Sequence, residues 1–442
     1  MDSIILVPGG GGSTLKLKQE EIWPPTVTEM IFGYNRTLKL QNKSAKPKKV
    51  LDVYPAAPCY EIYKPLQDDL ANIAGHLGAT RVDFAYDWRK DIVSSADKLA
   101  STISDCVSSG SNAVTLVCHS MGNLLARFVL EGGDYKTKPW FSKIVRYVGI
   151  CGPHAGVPEI LEYALGMKSW LGISAQDMGV LSGNSDFPAC YQCLPFRGKG
   201  VLFDGAGQSL DFYKPSVAHD FGLNKKNLQK ALDLQHKLDL NGAPPNVYCF
   251  IAAKDNTTDE KLVQNGTVVQ SDSLGDGTIP LWSSTTLQVN SATTPGDHIG
   301  VLRSYPFRQI LYECLTGGTL VPELSIAELP GLTLSVSKPL FAPGEPIDIL
   351  ILPDLRAGKI VGTLEISRVV NGAKNGFIPY NETRIEYAGP AIQYLRTTLM
   401  APADLGAYRL TFSGTHGVSS RTSTGFLVSQ VPLRDKLQRV RH

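Results

Sequence analysis

The chain has 442 residues, 43% of them hydrophobic, and a formal net charge of +2. This length and apolar content suit a large core in two or three domains and exclude an extended disordered chain. The balanced charge offers no broad basic field for nucleic acid, and no apolar run reaches the roughly 18 residues that a membrane span requires.

The chain opens as "MDSIILVPGG", a buried-strand pattern without the basic start and longer apolar stretch of a signal peptide. On that reading the protein is cytoplasmic. Of the eight cysteines, Cys118, Cys151 and Cys249 lie in or beside apolar strand-like runs, as reduced buried thiols do. Cys190 and Cys193 form a single CxxC with no second pair or histidine pair nearby. It reads as two free thiols or one local disulfide rather than as a zinc site. Nothing in the pattern calls for a metal or another cofactor.

Through residues 1–317, short apolar strands alternate with helical patterns. "SIILV" (3–7), "RVDFAY" (81–86), "AVTLVC" (113–118), "IVRYVGI" (144–150) and "NVYCFIAA" (246–253) are the clearest strands. Amphipathic helices such as "YKPLQDDLANIAGHLG" and "SADKLASTISDCVSS" fit between them. The alternation predicts an α/β fold with a mostly parallel sheet covered on both faces. Residues 20–58 and 155–245 break the rhythm and read as an insertion and a cap. The insertion places "MIFGY" (30–34) near Lys43, Lys46, Lys48 and Lys49. This is either a peripheral contact with an anionic membrane or a solvated basic loop. From 322 to 430 strand-like runs follow one another without helices, which predicts a small all-β sandwich. Its "ADLGAYRL" stretch resembles the tyrosine corner of immunoglobulin-like domains, with Tyr408 pinning the corner. Residues 431–442 form a basic tail. Every expected catalytic group falls within 1–317, so the sandwich is left to binding or assembly, with no partner indicated.

Within "VTLVCHSMGNLLARF" (114–128), Ser120 stands where a strand turns sharply into a helix. Such an elbow needs small residues on either side of the serine, and Gly122 supplies one, with Cys118 in place of the usual glycine. Serine needs a base, and in this architecture the chain order is serine, acid, histidine. His76 and His119 come too early; His154, His219 and His236 precede the last strands; His416 and His442 fall outside the α/β part. His298 remains, in a loop after the strand-like "TTLQV" (285–289). The acid follows the "NVYCFIAA" strand, with Asp255 nearest, Asp276 farther along in "LGDGTIP", and Asp297 poorly placed beside the histidine. Met121 is the standard first oxyanion donor, and Gly9 to Gly12 offer the second. A phosphate loop is excluded because no GK[ST] follows the glycines.

In order along the chain stand "VPGGGGSTL", "IWP", "AYDWR" (85–89), "CHSMGNLLAR", "GPHAG" (152–156), "GDGTIP" (275–280) and "DHIG" (297–300). Together they resemble the lecithin:cholesterol acyltransferase family of α/β-hydrolases, over about residues 3–316. The resemblance implies an α/β-hydrolase fold with cap or lid insertions. It also implies Ser120 as nucleophile, Asp276 as acid, His298 as base, and Gly10 and Met121 as oxyanion donors. Tyr86, Asp87, Trp88 and Arg89 would border the active-site floor. The function implied is a serine lipase or phospholipase working through an acyl-enzyme. The alternatives are a lipid O-acyltransferase, or an esterase or amidase for a non-lipid substrate with the sandwich as targeting module.

Overall fold

The structure is a computed structural model that describes residues 1–53, 60–132, 134–238, 248–254, 256–257, 260–270, 274–287, 289–318, 331–370, 376–416, 418 and 421–431. Its centre is a parallel sheet. In chain order the strands and their main helices are β1 (Ser3–Val7), α1 (Lys64–Leu77), β2 (Thr80–Asp83), α2 (Ile92–Ser108), β3 (Val114–His119), α3 (Gly122–Glu131), β4 (Ile144–Ile150), β5 (Tyr248–Ala253), β6 (Asn290–Thr294) and α4 (Tyr305–Thr316). Their order across the sheet is β6-β5-β4-β3-β1-β2. Every neighbouring pair is parallel.

The alternation of side chains along β1 decides the layers. Ile4 and Leu6 belong to one core with Leu66, Leu70 and Ile73 of α1 and Phe307 and Leu311 of α4. Ile5 and Val7 belong to a second core with Leu99 and Ile103 of α2 and Leu124 and Phe128 of α3. Both faces are covered, which is why the strand reads apolar throughout. The helices end where local chemistry ends them. The Asp91 side chain accepts from Val93 N at the start of α2, and Gly78 takes a left-handed conformation after α1. Among the described residues, no helix is long and apolar enough to cross a membrane.

Two expectations change. The run 285–289 is not the strand before His298, because Pro280 starts a helical turn at Leu281–Ser284, and Leu287 and Val289 then pack against the second core. The edge strand is β6, whose Asn290 pairs with Cys249 and Thr294 with Ala253. In the insertion, "MIFGY" is not an exposed wedge. Met30, Ile31 and Tyr34 are buried, and only Phe32 is well exposed. Lys43, Lys46, Lys48 and Lys49 do face solvent. The cap segment carries helices Glu159–Ala164, Ala175–Ser182, Pro215–Asp220 and Lys225–Lys237, with a small core of its own. Cys190 and Cys193 are free thiols.

The C-terminal strands are β7 (Leu332–Val336), β8 (Leu340–Phe341), β9 (Pro346–Pro353), β10 (Ala357–Val369), β11 (Phe377–Ile392), β12 (Leu395–Met400), β13 (Gly406–His416) and β14 (Arg421–Val428). They form a three-stranded sheet β7-β9-β12 and a five-stranded sheet β8-β14-β13-β10-β11. The Tyr408 hydroxyl donates to Asp404 O at 2.8 Å, pinning the corner before β13.

These sheets do not have a separate core. Leu334, Val336, Phe341 and Val428 share one apolar cluster with Val301, Leu302 and Phe307. Beyond β14, Ser429 Oγ donates to Met30 O at 2.8 Å, and Gln430 N donates to Ile31 O at 3.1 Å. Fully exposing a buried Val, Leu or Phe costs about 1.5–3 kcal/mol. A few such losses exhaust the ~5–15 kcal/mol that holds a domain folded. A chain ending at Gly318 is therefore expected to aggregate or to lack a cooperative melt, while the full chain unfolds cooperatively. Size-exclusion chromatography with thermal circular dichroism checks this; a soluble, cooperatively melting truncation would refute it.

Candidate active site

The candidate groups gather at the carboxyl ends of the parallel strands, where open α/β sheets place their ligands. Ser120 follows β3 with φ of 52°, a left-handed conformation that L-residues avoid. The corner leaves no room beside it. A Cβ at Gly122 would lie 2.6 Å from the Val7 and Pro8 carbonyl oxygens, and one at Gly9 would lie 2.6 Å from Ser120 Cβ. Cys118 fits at the other flank because it is a buried strand residue paired with Val7 and Gly149.

His298 lies in the loop after β6. Its Nε2 is 2.9 Å from Ser120 Oγ, and its Nδ1 is 2.7 Å from Asp276 Oδ2. The backbone also joins the two loops, His298 N donating to Asp276 O at 2.8 Å. The other carboxylate oxygen, Asp276 Oδ1, accepts from Thr278 N at 2.9 Å and Ile279 N at 2.6 Å. Thus the structure brings Ser120, His298 and Asp276 into one hydrogen-bonded line. Asp255 lies outside the described residues. Asp297 points away from the ring, accepting instead from Gly300 N at 2.8 Å and from the Ser335 hydroxyl. Burial opposes a charged His298, but the adjacent Asp276 carboxylate outweighs it and raises the histidine pKa above its usual value.

Gly10 and Met121 line the same cavity as Ser120. Gly9 N is already donated to the Tyr63 hydroxyl at 2.7 Å. Among the described residues, no protein oxygen takes the N–H of Gly10 or Met121. Both are thus open to an oxyanion.

The pattern of residues gave no role in the site to Tyr63, His119 or Cys151, although it marked Cys151 as a reduced buried thiol, which it is. The Tyr63 hydroxyl meets His119 Nδ1 at 2.8 Å, and His119 Nε2 meets His298 O at 2.9 Å. A carbonyl can only accept, so Nε2 carries the proton and Nδ1 accepts from Tyr63. Burial, and then the neighbouring His298, push the His119 pKa well below its usual value, so the ring is neutral as this pattern requires. His119 therefore ties the glycine loop, through Tyr63, to the main chain of His298. The Cys151 thiol lies within 4.8 Å of the Asp276 carboxylate and the His298 ring, and burial, with that carboxylate beside it, pushes its pKa well above the usual value, so it stays protonated. Only the position of His119 directly before Ser120 hinted at this network; Tyr63 precedes a helix with no sequence mark. Among the described residues, the one tight cluster of metal-ligand types is Cys151, Asp276 and His298. Its Asp–His contact is already a hydrogen bond, so these two side chains are paired with each other.

Of the "YDWR" residues, Tyr86 and Asp87 are buried and do not line the cavity. The Tyr86 hydroxyl donates to Pro8 O at 2.9 Å, which holds the start of the glycine loop. Trp88 and Arg89 line the cavity. The Arg89 guanidinium grips Asp87 with two bonds, Nε–Oδ1 at 2.8 Å and Nη2–Oδ2 at 2.7 Å, and both side chains are buried. It also donates to Leu40 O and lies 4.4 Å from the Phe187 ring centroid, joining the insertion to the cap. The cavity is about 880 Å³. Its cap side carries the buried apolar residues Val157, Met178, Leu181 and Phe187 together with the Glu159–Lys168 ion pair, closed at 2.6 Å.

With this geometry in view, comparison with known proteins is informative. Residues 49–204 match the family model of lecithin:cholesterol acyltransferase. The resemblance holds. The matched segment includes "YDWR", Ser120 and "GPHAG" but stops before Asp276 and His298. No curated protein matches significantly. Among solved structures, the chain is similar to the Bacillus licheniformis lipase BlEst2 in propeptide form, at 11% identity over 98% of this chain and 96% of that one, with a TM-score of 0.37. The mature form of that lipase aligns at 12% identity over 70% of this chain and 91% of that one, TM-score 0.37. The lin2722 product of Listeria innocua aligns at 13% identity over 72% and 96%, TM-score 0.32. At these scores the structural likeness adds nothing to the fold or the site.

Removing one partner of a buried ion pair leaves an uncompensated charge and costs about 3–5 kcal/mol. Asp87→Asn is expected to lose that much by chemical denaturation. A loss under about 1 kcal/mol, the range of exposed pairs, would show that Arg89 is satisfied without Asp87.

Proposed function

We propose that this protein is a serine hydrolase of lipid esters that works through an acyl-enzyme. The observation that carries the reading is the line Ser120 Oγ–His298 Nε2–Asp276 at 2.9 and 2.7 Å, opening on a cavity with an apolar side. The match to the acyltransferase family supports an esterase or lipase class of activity. In this reading Ser120 attacks the ester carbonyl while His298 takes its proton. Asp276 holds the imidazole tautomer and stabilises the imidazolium. Gly10 and Met121 N–H groups receive the oxyanion, a contribution of about 10²–10³ in rate for a single donor. His298 returns the proton to the departing alcohol. Water then frees the acid or, in the transferase variant that the family match favours as second reading, an alcohol takes the acyl group. The acyl chain would lie along Val157, Met178, Leu181 and Phe187.

We also propose that 1–317 and the C-terminal strands act as one catalytic unit. The exposed lysines of the insertion remain the candidate for contact with an anionic membrane.

A fluorophosphonate probe is expected to label wild-type protein at Ser120 and not Ser120→Ala. Ester hydrolysis by that variant is expected to fall by about 10⁴–10⁶. Absence of labelling at Ser120 would reject the reading. Product masses from a mixed lipid extract separate hydrolysis from transfer.

The pH dependence follows from His298. A general base must be neutral, and its pKa is raised, so kcat/KM falls as pH drops through a midpoint above the ordinary histidine value of 6.5. Asp276→Asn removes the charge that raises it. That variant is expected to lose about 10⁴ in kcat and to shift the acid limb to lower pH. An unshifted limb would assign it to another group.

A further inference from the structure

Two cysteines distant in the chain meet away from the candidate site. Along β5 the side chains alternate, Tyr248 and Phe250 entering the second core and Ile251 and Ala253 the first. Cys249 therefore shares the face of Ile251, toward α4. Cys314 of α4 packs against that same first core. The two Sγ atoms are 2.8 Å apart, and both residues are half-buried, so small solutes reach them. Among the described residues this is the one hydrogen-bonded pair of thiols. Arg146 of β4 stands beside it, its Nη1 donating to Leu315 O at 2.7 Å.

The two thiols differ in chemistry. Cys314 donates the shared hydrogen bond, which raises its pKa, and burial adds to this. Accepting that bond lowers the Cys249 pKa against the effect of burial, and the Arg146 charge lowers it further. At Cys118, Cys151, Cys190 and Cys193 burial raises the thiol pKa instead. Cys249 is thus suited to react as a thiolate, with a second thiol already in contact.

We propose that Cys249 and Cys314 are a peroxide-oxidisable dithiol whose reversible disulfide staples α4 to the parallel sheet. The Cys249 thiolate attacks one oxygen of hydrogen peroxide; an S–O bond forms, the O–O bond breaks, and the departing hydroxide takes up a proton as water. The Cys314 sulfur then attacks the Cys249 sulfenic sulfur. The S–S bond forms, the S–O bond breaks, and a second water leaves with the Cys314 proton. Two thiols and one peroxide give one disulfide and two waters. The sulfurs need to close by less than about 1 Å to reach disulfide length. The bond encloses residues 250–313, which carry both Asp276 and His298. Closing so long a loop restricts the unfolded chain and so favours the folded one. Cys249 lies near the amino end of β5, away from the carboxyl ends that hold Ser120, so the proposal is independent of the reading of Ser120.

The test treats the reduced full chain with a small molar excess of hydrogen peroxide. Non-reducing peptide mapping is expected to find the Cys249 and Cys314 peptides joined. The melting temperature is expected to rise by about 3 °C or more, and dithiothreitol is expected to reverse both changes. In Cys314→Ser the joined peptide and the rise are expected to vanish, and dimedone is expected to trap a sulfenic acid at Cys249. Where that variant does not fold, mapping and melting of the wild type decide. Both thiols still open to alkylation after peroxide, or a disulfide formed only between other cysteines, would overturn the proposal. A joined pair with an unchanged melting temperature would overturn the staple.

Discussion

Ser120 occupies a left-handed backbone conformation at the corner between β3 and α3, with φ of 52°. Strain of this kind costs about 1–3 kcal/mol and persists only where the surroundings over-determine it. Here they do so from three sides. Ser120 N donates to Ile150 O at 3.0 Å, which ties the corner to β4. The Asn123 amide donates to Ser120 O at 2.9 Å and Ile150 O at 3.1 Å, and the Tyr147 hydroxyl holds its oxygen at 2.7 Å. On the other side, Gly9 and Gly122 allow the glycine loop and the helix start to close on the serine. The same closeness that strains the corner brings the candidate oxyanion donors to the serine.

The histidine side of the site is built differently. His298 stands in a loop, and its position comes from contacts with segments distant in the chain. Asp276 O receives its N–H, and His119 donates to its carbonyl. The neighbouring Asp297 accepts from the Ser335 hydroxyl of β7. Arg303, just beyond, reaches Ser335 at 3.4 Å and Thr424 of β14 at 3.3 Å. A Cβ at Gly300 would lie 2.0 Å from Ser335 Oγ, so the loop and β7 touch with no gap. The candidate base is therefore positioned jointly by the parallel sheet and by the C-terminal strands.

Much of this was legible from local pattern. Five strands of the parallel sheet follow from apolar runs, and Ser120 and His298 follow from chain order combined with turn chemistry. The placement of Asp276 beside His298 needed either the motif or the fold, because spacing from the preceding strand favoured Asp255. The edge strand was misread because "TTLQV" has the composition of a strand, whereas a helical turn at Leu281 shifts the pairing to 290–294. "MIFGY" looks like a membrane wedge in one dimension, but Met30 and Ile31 find partners in the first core. The roles of Tyr63 and His119 stayed hidden for another reason. Their roles depend on which tautomer a buried imidazole takes, and that is set by a carbonyl 179 residues away.

The C-terminal strands show the deeper limit. Alternating apolar residues establish that a strand buries one face, yet they do not name what covers it. In the fold Leu334, Val336 and Phe341 share one apolar cluster with Val301 and Leu302, just past the candidate base. Such packing is close to crystalline in density, so a shift on one side is transmitted to the other. The apolar contacts that hold the C-terminal sheets in place therefore also set the geometry of the His298 loop. The packing of the C-terminal sheets and the geometry of the candidate site are coupled through β7: a substitution at Ser335 acts on the His298 loop without touching Ser120.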